Sequence, residues 1–194
     1  MIKIDNYPLL KSNMSNLSKT SIDKHDGKNG EPMTDSPIKA VNFDNVKKEY
    51  IKNLRLCDTP KSNDALHIKE NGDLIFIEFK NGVIDSKEQY SIRKKIYDSI
   101  LILTDIVGIG ISEMRKIADY ILVINEKANP SEATEMKSYV QPSPSFDKIA
   151  QAVSKKGNGK YIPYGVKIFE NYCFRNVDVF TKSDFEKYLQ ENLI

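Results

Sequence analysis

The chain has 194 residues, 40% hydrophobic and 29% charged, the balance typical of soluble globular domains and long enough for one medium domain with its own core. Its 29 Lys and Arg stand against 27 Asp and Glu, a net charge of +2, which excludes a chain that holds polyanions by overall charge alone. No apolar run approaches the ~18 residues that span a bilayer, and the opening MIKIDNYPLLKSN lacks the apolar core of a signal peptide, so no membrane partner is expected and a cytoplasmic location is.

Residues 1–37 are polar and turn-rich, and read as a flexible or wrapping N-terminal arm ahead of one domain at 38–194. The DKHDGKNG stretch within the arm has acids, but not at the alternating spacing of a calcium loop. Val41, Phe43, Val46, Tyr50, Ile51 and Leu54 recur at helical spacing, which predicts a helix over 41–55 that Thr59-Pro60 brings to an end. Two apolar runs around Asn71-Gly72 predict a β-hairpin. A second helix follows Gly82, with Ile92, Ile96, Ile100 and Leu103 as its stripe and Asp85 or Ser86 as its N-cap.

Gly108 and Gly110 end that helix, and a short one is expected over 112–118. Tyr120 to Ile124 has no polar position and predicts a strand inside a covered sheet. Residues 127–145 carry three prolines and read as a long loop or insertion. A helix over 146–156, one or two strands over 166–180 and a last helix opening at Ser183-Asp184-Phe185-Glu186 complete the chain. This order predicts a mixed α/β (α+β) fold, a central mixed sheet flanked by helices. Cys57 and Cys173 lie far apart with no Cys/His cluster, which speaks against zinc and for two reduced thiols.

The chemistry concentrates at the end of the hairpin, where Leu74-Ile75-Phe76-Ile77 runs into Glu78-Phe79-Lys80. Residues two apart share a strand face, so Glu78 and Lys80 point the same way. A two-residue turn at Asn71-Gly72 would set Asp64 opposite Phe79, on the other face. A three-residue loop over 71–73 would set it opposite Lys80 and diagonal to Glu78. In that register two carboxylates and one ammonium converge. Two acids alone repel, and a divalent cation removes the conflict. Mg²⁺ or Mn²⁺, held by hard oxygen ligands with waters completing the shell, would activate a water and neutralise charge developing on a phosphodiester. Lys80 would orient that water or stabilise the phosphorus centre. Glu78 and Lys80 also fit a plainer role, charges where a strand emerges into water.

Asp64, thirteen residues, then Glu78-Phe79-Lys80 closing an apolar strand resembles the PD-(D/E)xK (restriction-endonuclease-like) nuclease superfamily. The resemblance implies metal binding by Asp64 and Glu78, with Lys80 supporting hydrolysis. It further implies an acid from the preceding helix, with Glu49 better placed than Glu70 or Asp58, and a Gln on the following helix, matched by Gln89. It implies a core of helix, three strands, helix and strand, which residues 41–125 would supply. Asn63 stands where the motif has Pro. Arg93, Lys94 and Lys95 beside the motif make a basic strip suited to a phosphate backbone, and Lys155, Lys156 and Lys160 a second basic loop.

The expected function is a metal-dependent nuclease acting on DNA, or less readily RNA, in restriction, repair or defence. The alternative is an inactive copy of the fold that binds nucleic acid or protein. The near-neutral charge leaves room for a homodimer or an accessory protein.

Overall fold

A computed structural model describes residues 1–22, 30–138 and 162–193. Its organising element is β4 (Leu74–Lys80), in which only Lys80 is not buried. A strand this apolar needs neighbours on both edges and cover on both faces. It lies fourth in a six-stranded sheet of order β1 (Met14–Asn16), β2 (Lys39–Asn42), β3 (Ala65–Ile68), β4, β5 (Ala118–Ile124) and β6 (Asn176–Thr181). From β1 to β4 each strand runs antiparallel to the next, whereas β4, β5 and β6 are mutually parallel. The mixed α/β class expected from the element order is thus the class observed.

Parallel pairing of β4 with β5 demands a crossover. It is made by α4 (Ser86–Val107) and α5 (Ile111–Ile117). Asp85 caps α4 by accepting a hydrogen bond from the Glu88 amide, and Gly108 closes it in the left-handed conformation at φ 69°. On one sheet face Leu66, Phe76 and Leu122 pack with Ile92, Ile96 and Leu103 of α4 and with Phe43 and Val46 of α3 (Phe43–Ile51). On the other, Ile75, Ile77 and Val123 pack with Phe185 and Leu189 of the last helix, α7 (Lys182–Asn192).

Several boundaries differ from expectation. The expected helix at 41–55 begins only at Phe43, because residues 39–42 form β2 and Asn42 caps the helix through the Asn45 amide. Between α3 and α4 there are therefore two strands, and the third expected there precedes α3. The boundary expected at residue 38 does not divide the packing. α1 (Pro8–Ser12) and α2 (Leu17–Thr20) bury Leu10 and Leu17 completely, and β1 is the edge strand of the sheet.

Within the expected loop at 127–145 lies α6 (Pro130–Ser138). In the 166–180 segment a 3₁₀ turn (Val166–Phe169) precedes a single strand. α7 is capped by Thr181, whose hydroxyl accepts from the Asp184 amide at 3.2 Å, not by Ser183. Both cysteines are free, Cys57 exposed and Cys173 buried. No described helix is long and apolar enough to cross a membrane. The helix expected at 146–156, the basic residues Lys155, Lys156 and Lys160, and most of DKHDGKNG lie outside the described residues.

Phe76 joins α3, the sheet and the C-terminal region. It is fully buried, with its ring 5.7 Å from Phe43 and 5.6 Å from Phe174. Phe76→Ala is expected to lower the unfolding free energy by about 3–5 kcal/mol, measured by urea denaturation, while Leu101→Ala on the exposed face of α4 leaves it within about 0.5 kcal/mol.

Candidate active site

The hairpin register decides which side chains meet. Ala65 pairs with Ile77, Leu66 with Phe76, His67 with Ile75 and Ile68 with Leu74. The Lys69 amide donates to the Asp73 carbonyl at 2.8 Å and the Gly72 amide to the Lys69 carbonyl at 2.9 Å. The loop is therefore the three residues Glu70-Asn71-Gly72. Gly72 has φ 84°, and a Cβ there would lie 2.7 Å from the Ile2 amide nitrogen, so position and space both call for glycine. A loop over 71–73 was expected. The observed one sits a residue earlier and carries Asp64 towards Glu78 instead of Lys80.

Asp64 lies just before β3 and is held by its own backbone and side chain. Its carbonyl accepts from the Phe43 amide at 3.2 Å, and its Oδ2 accepts from the Phe79 amide at 2.7 Å. Its Oδ1 faces Lys95 Nζ at 3.2 Å. The same ammonium donates to Glu78 Oε1 at 2.6 Å. Lys80 Nζ lies 3.2 Å from Glu78 Oε1 and 2.8 Å from Glu88 Oε2. Asp64, Glu78 and Lys80 are thus adjacent, and Lys95 lies between the two acids.

Electrostatics follow from where these groups sit. Glu78 is fully buried, and Oε2 has no hydrogen-bond partner among the described residues. Burial, and then the neighbouring Asp64 charge, push the Glu78 pKa up to about 7 against the pull of Lys95 and Lys80. Burial raises Asp64 as well. Burial alone would lower Lys95, but Glu78 and Asp64 outweigh it and hold the amine firmly charged. Lys80 likewise stays above its usual range, since Glu78 and Glu88 outweigh its burial. Glu88 is lowered chiefly by its hydrogen bond from Lys80.

The basic strip expected on α4 splits. Lys95 faces the acids. Lys94 reaches Asp58 at 3.6 Å, and Arg93 lies against Gly165. Neither they nor Gln89 line the cleft of about 770 Å³ that Asp64, Lys80 and Lys95 line and behind which Glu78 is buried. Glu49 is exposed and outside that cleft. The acid that α3 contributes to the wall is Asp44, from its first turn. Asp44 was missed because the expected helix started at 41, inside what is β2, and so did not set Asp44 in the first turn of the actual helix. Lys95 had a legible signal. Ser91, Lys95, Asp98 and Ser99 form a polar stripe at helical spacing beside the apolar one. Ser91 and Ser99 are buried and, with Asp98, bind the 61–63 segment: Lys61 Nζ to Ser91 Oγ at 2.8 Å, the Lys61 amide to Asp98 at 2.7 Å and the Asn63 amide to Ser99 Oγ at 2.8 Å.

Could this pair hold a divalent ion? The donors are hard oxygens, both already on a single cation, and Glu78 Oε2 is a buried acceptor left over. Among the described residues no group of three or more His, Cys, Asp or Glu side chains forms a metal site. The protein's ligands would be the two carboxylates alone, a set that suits Mg²⁺, which keeps several waters. The residues fit such an ion. No protein-family model, curated protein or solved structure matches this chain.

Glu78 gives a pH dependence. In the folded chain it keeps its proton up to about pH 7, whereas an ordinary Glu releases it near 4.5. The native state binds more protons in that window, so stability falls as pH rises from about 4.5 to 7 and then levels off. In chelated buffer the fall is expected on the order of 3 kcal/mol. Glu78→Gln should flatten most of it in urea unfolding followed across pH. An unchanged slope in that variant would contradict the buried acid.

Proposed function

We propose that this chain is a metal-dependent nuclease of the PD-(D/E)xK kind, hydrolysing phosphodiester bonds of DNA. One observation carries the reading: a fully buried Glu78 at the exit of a core strand shares one cation with Asp64, while Lys80, two residues on, opens into the same cleft.

Asp64 and Glu78 would hold Mg²⁺ or Mn²⁺, which when bound activates a water and offsets charge on the reacting phosphate. The Phe79 amide fixes the orientation of the Asp64 carboxylate. Lys80 remains an ammonium, so its role is to orient the attacking water and stabilise the phosphorus centre, not to remove a proton. Glu88 holds Lys80 in place. Lys19, Lys47, Lys48 and Lys61 also line the cleft, a local basic wall on a chain of net charge only +2. Such a wall suits a phosphate backbone. A role in restriction, repair or defence, a location in the cytoplasm, and a homodimer or accessory partner that strengthens binding belong to the same proposal.

The alternative, a binding module without turnover, is favoured by one feature: Lys95 already bridges the two acids. Plasmid and single-stranded DNA offered with Mg²⁺ or Mn²⁺ separate the two. Cleavage is expected, with Glu78→Gln and Lys80→Ala at least about 100-fold slower and still folded by circular dichroism. Retained DNA binding without cleavage identifies the module, and undiminished cleavage by both variants removes the site. Lys48→Ala, on the exposed wall, should weaken DNA binding similarly for all sequences and lower the slope of log affinity against log salt by about one.

A further inference from the structure

Lys95 occupies the ground a metal ion would need. Its Nζ lies 3.2 Å from Asp64 Oδ1 and 2.6 Å from Glu78 Oε1. An ion bound to both oxygens at ~2.0–2.1 Å would crowd that ammonium and repel it. We infer that Lys95 is a built-in competitor for the divalent cation, holding Asp64 and Glu78 together in the metal-free protein and leaving them when an ion enters. This rests on the metal-dependent reading above.

Three observations support an exchange over a permanent lysine bridge. The lysine does not satisfy the acids completely, since Glu78 Oε2 is fully buried and unpartnered among the described residues. Nor does it balance the charge. With Glu78 ionised, the ion-paired Asp64, Glu78 and Glu88 carry one charge more than Lys80 and Lys95 offset, and a divalent ion in place of Lys95 would cancel it. Finally, Lys95 lines the cleft itself, so a flexible four-carbon stem can swing its ammonium outward without unfolding α4. A phosphate in that cleft would be its new partner. Metal entry and phosphate binding then favour each other, because each stabilises the same displaced lysine.

Mn²⁺ titrated calorimetrically into the full metal-free chain tests this. Lys95→Met is expected to bind Mn²⁺ at least tenfold more tightly than wild type, and Lys95→Met with Asp64→Asn to lose that gain. Equal or weaker binding by Lys95→Met overturns the inference. Since Lys95→Met takes the ion-pair partner of Asp64 and leaves Glu78 with Lys80 alone, the variant could fail to fold, and a second measurement uses wild type. Acetylation of lysines, read by mass spectrometry, is expected to modify Lys95 several-fold faster in Mn²⁺ than in chelator, and an unchanged rate likewise overturns it. Tighter Mn²⁺ binding by Lys95→Met without cleavage by wild type upholds the competitor and removes the nuclease. Cleavage by wild type with unaltered Lys95→Met affinity does the reverse.

Discussion

A carboxylate with no solvent exposure, on a strand flanked by hydrogen-bonded neighbours, is tolerable only if a positive charge is brought to it or its proton is retained. Glu78 is in that position, and its closest carboxylate neighbour, Asp64, makes the requirement stricter. Much of the architecture around β4 answers it. Lys80 comes from the same strand face, two residues further on. Lys95 comes from the crossover helix, and the Phe79 amide fixes the second oxygen of Asp64. Removing one partner from such a cluster leaves a buried charge uncompensated, which costs more than the pairing contributes.

The crossover helix serves two ends with two stripes. Ile92, Ile96 and Leu103 pack on the sheet and make the parallel pairing of β4 and β5 possible. Ser91, Lys95, Asp98 and Ser99 lie beside them, gripping the 61–63 segment and the acids. Asp64 is thereby placed by α4 as well as by the hairpin. Fold and site share an element, so substitutions on the polar stripe should disturb Asp64 geometry even where they touch neither acid.

Charge placement, not charge total, gives the cleft its character. With a net charge of +2 the chain has no long-range pull on a polyanion. Yet six lysines line one cleft together with Asp64, and two of them, Lys80 and Lys95, reach the buried Glu78 behind it. Residues of α2, with Asn42 at the end of β2 and Lys47 and Lys48 of α3, supply part of this wall. That gives the N-terminal segment a place in the site, and not in the packing alone.

For β4, α4 and β5, strand, helix and face were legible in the chain itself. Alternation in residues 74–80 set Glu78 and Lys80 on one side, and the apolar run at 120–124 announced a strand covered on both faces, because periodicity depends only on local backbone geometry. The convergence of Asp64 with Glu78 was visible only conditionally. It turned on loop length, and the observed loop, Glu70-Asn71-Gly72, is held partly by Ile2 passing close to Gly72, a contact seventy positions distant in the chain. The polar stripe set Lys95 apart from Arg93 and Lys94, but tertiary structure decided that this stripe meets the acids. Adjacent helix residues point about 100° apart, so the stripes separate the three, and the packing of α4 on the sheet fixes what the inward one touches.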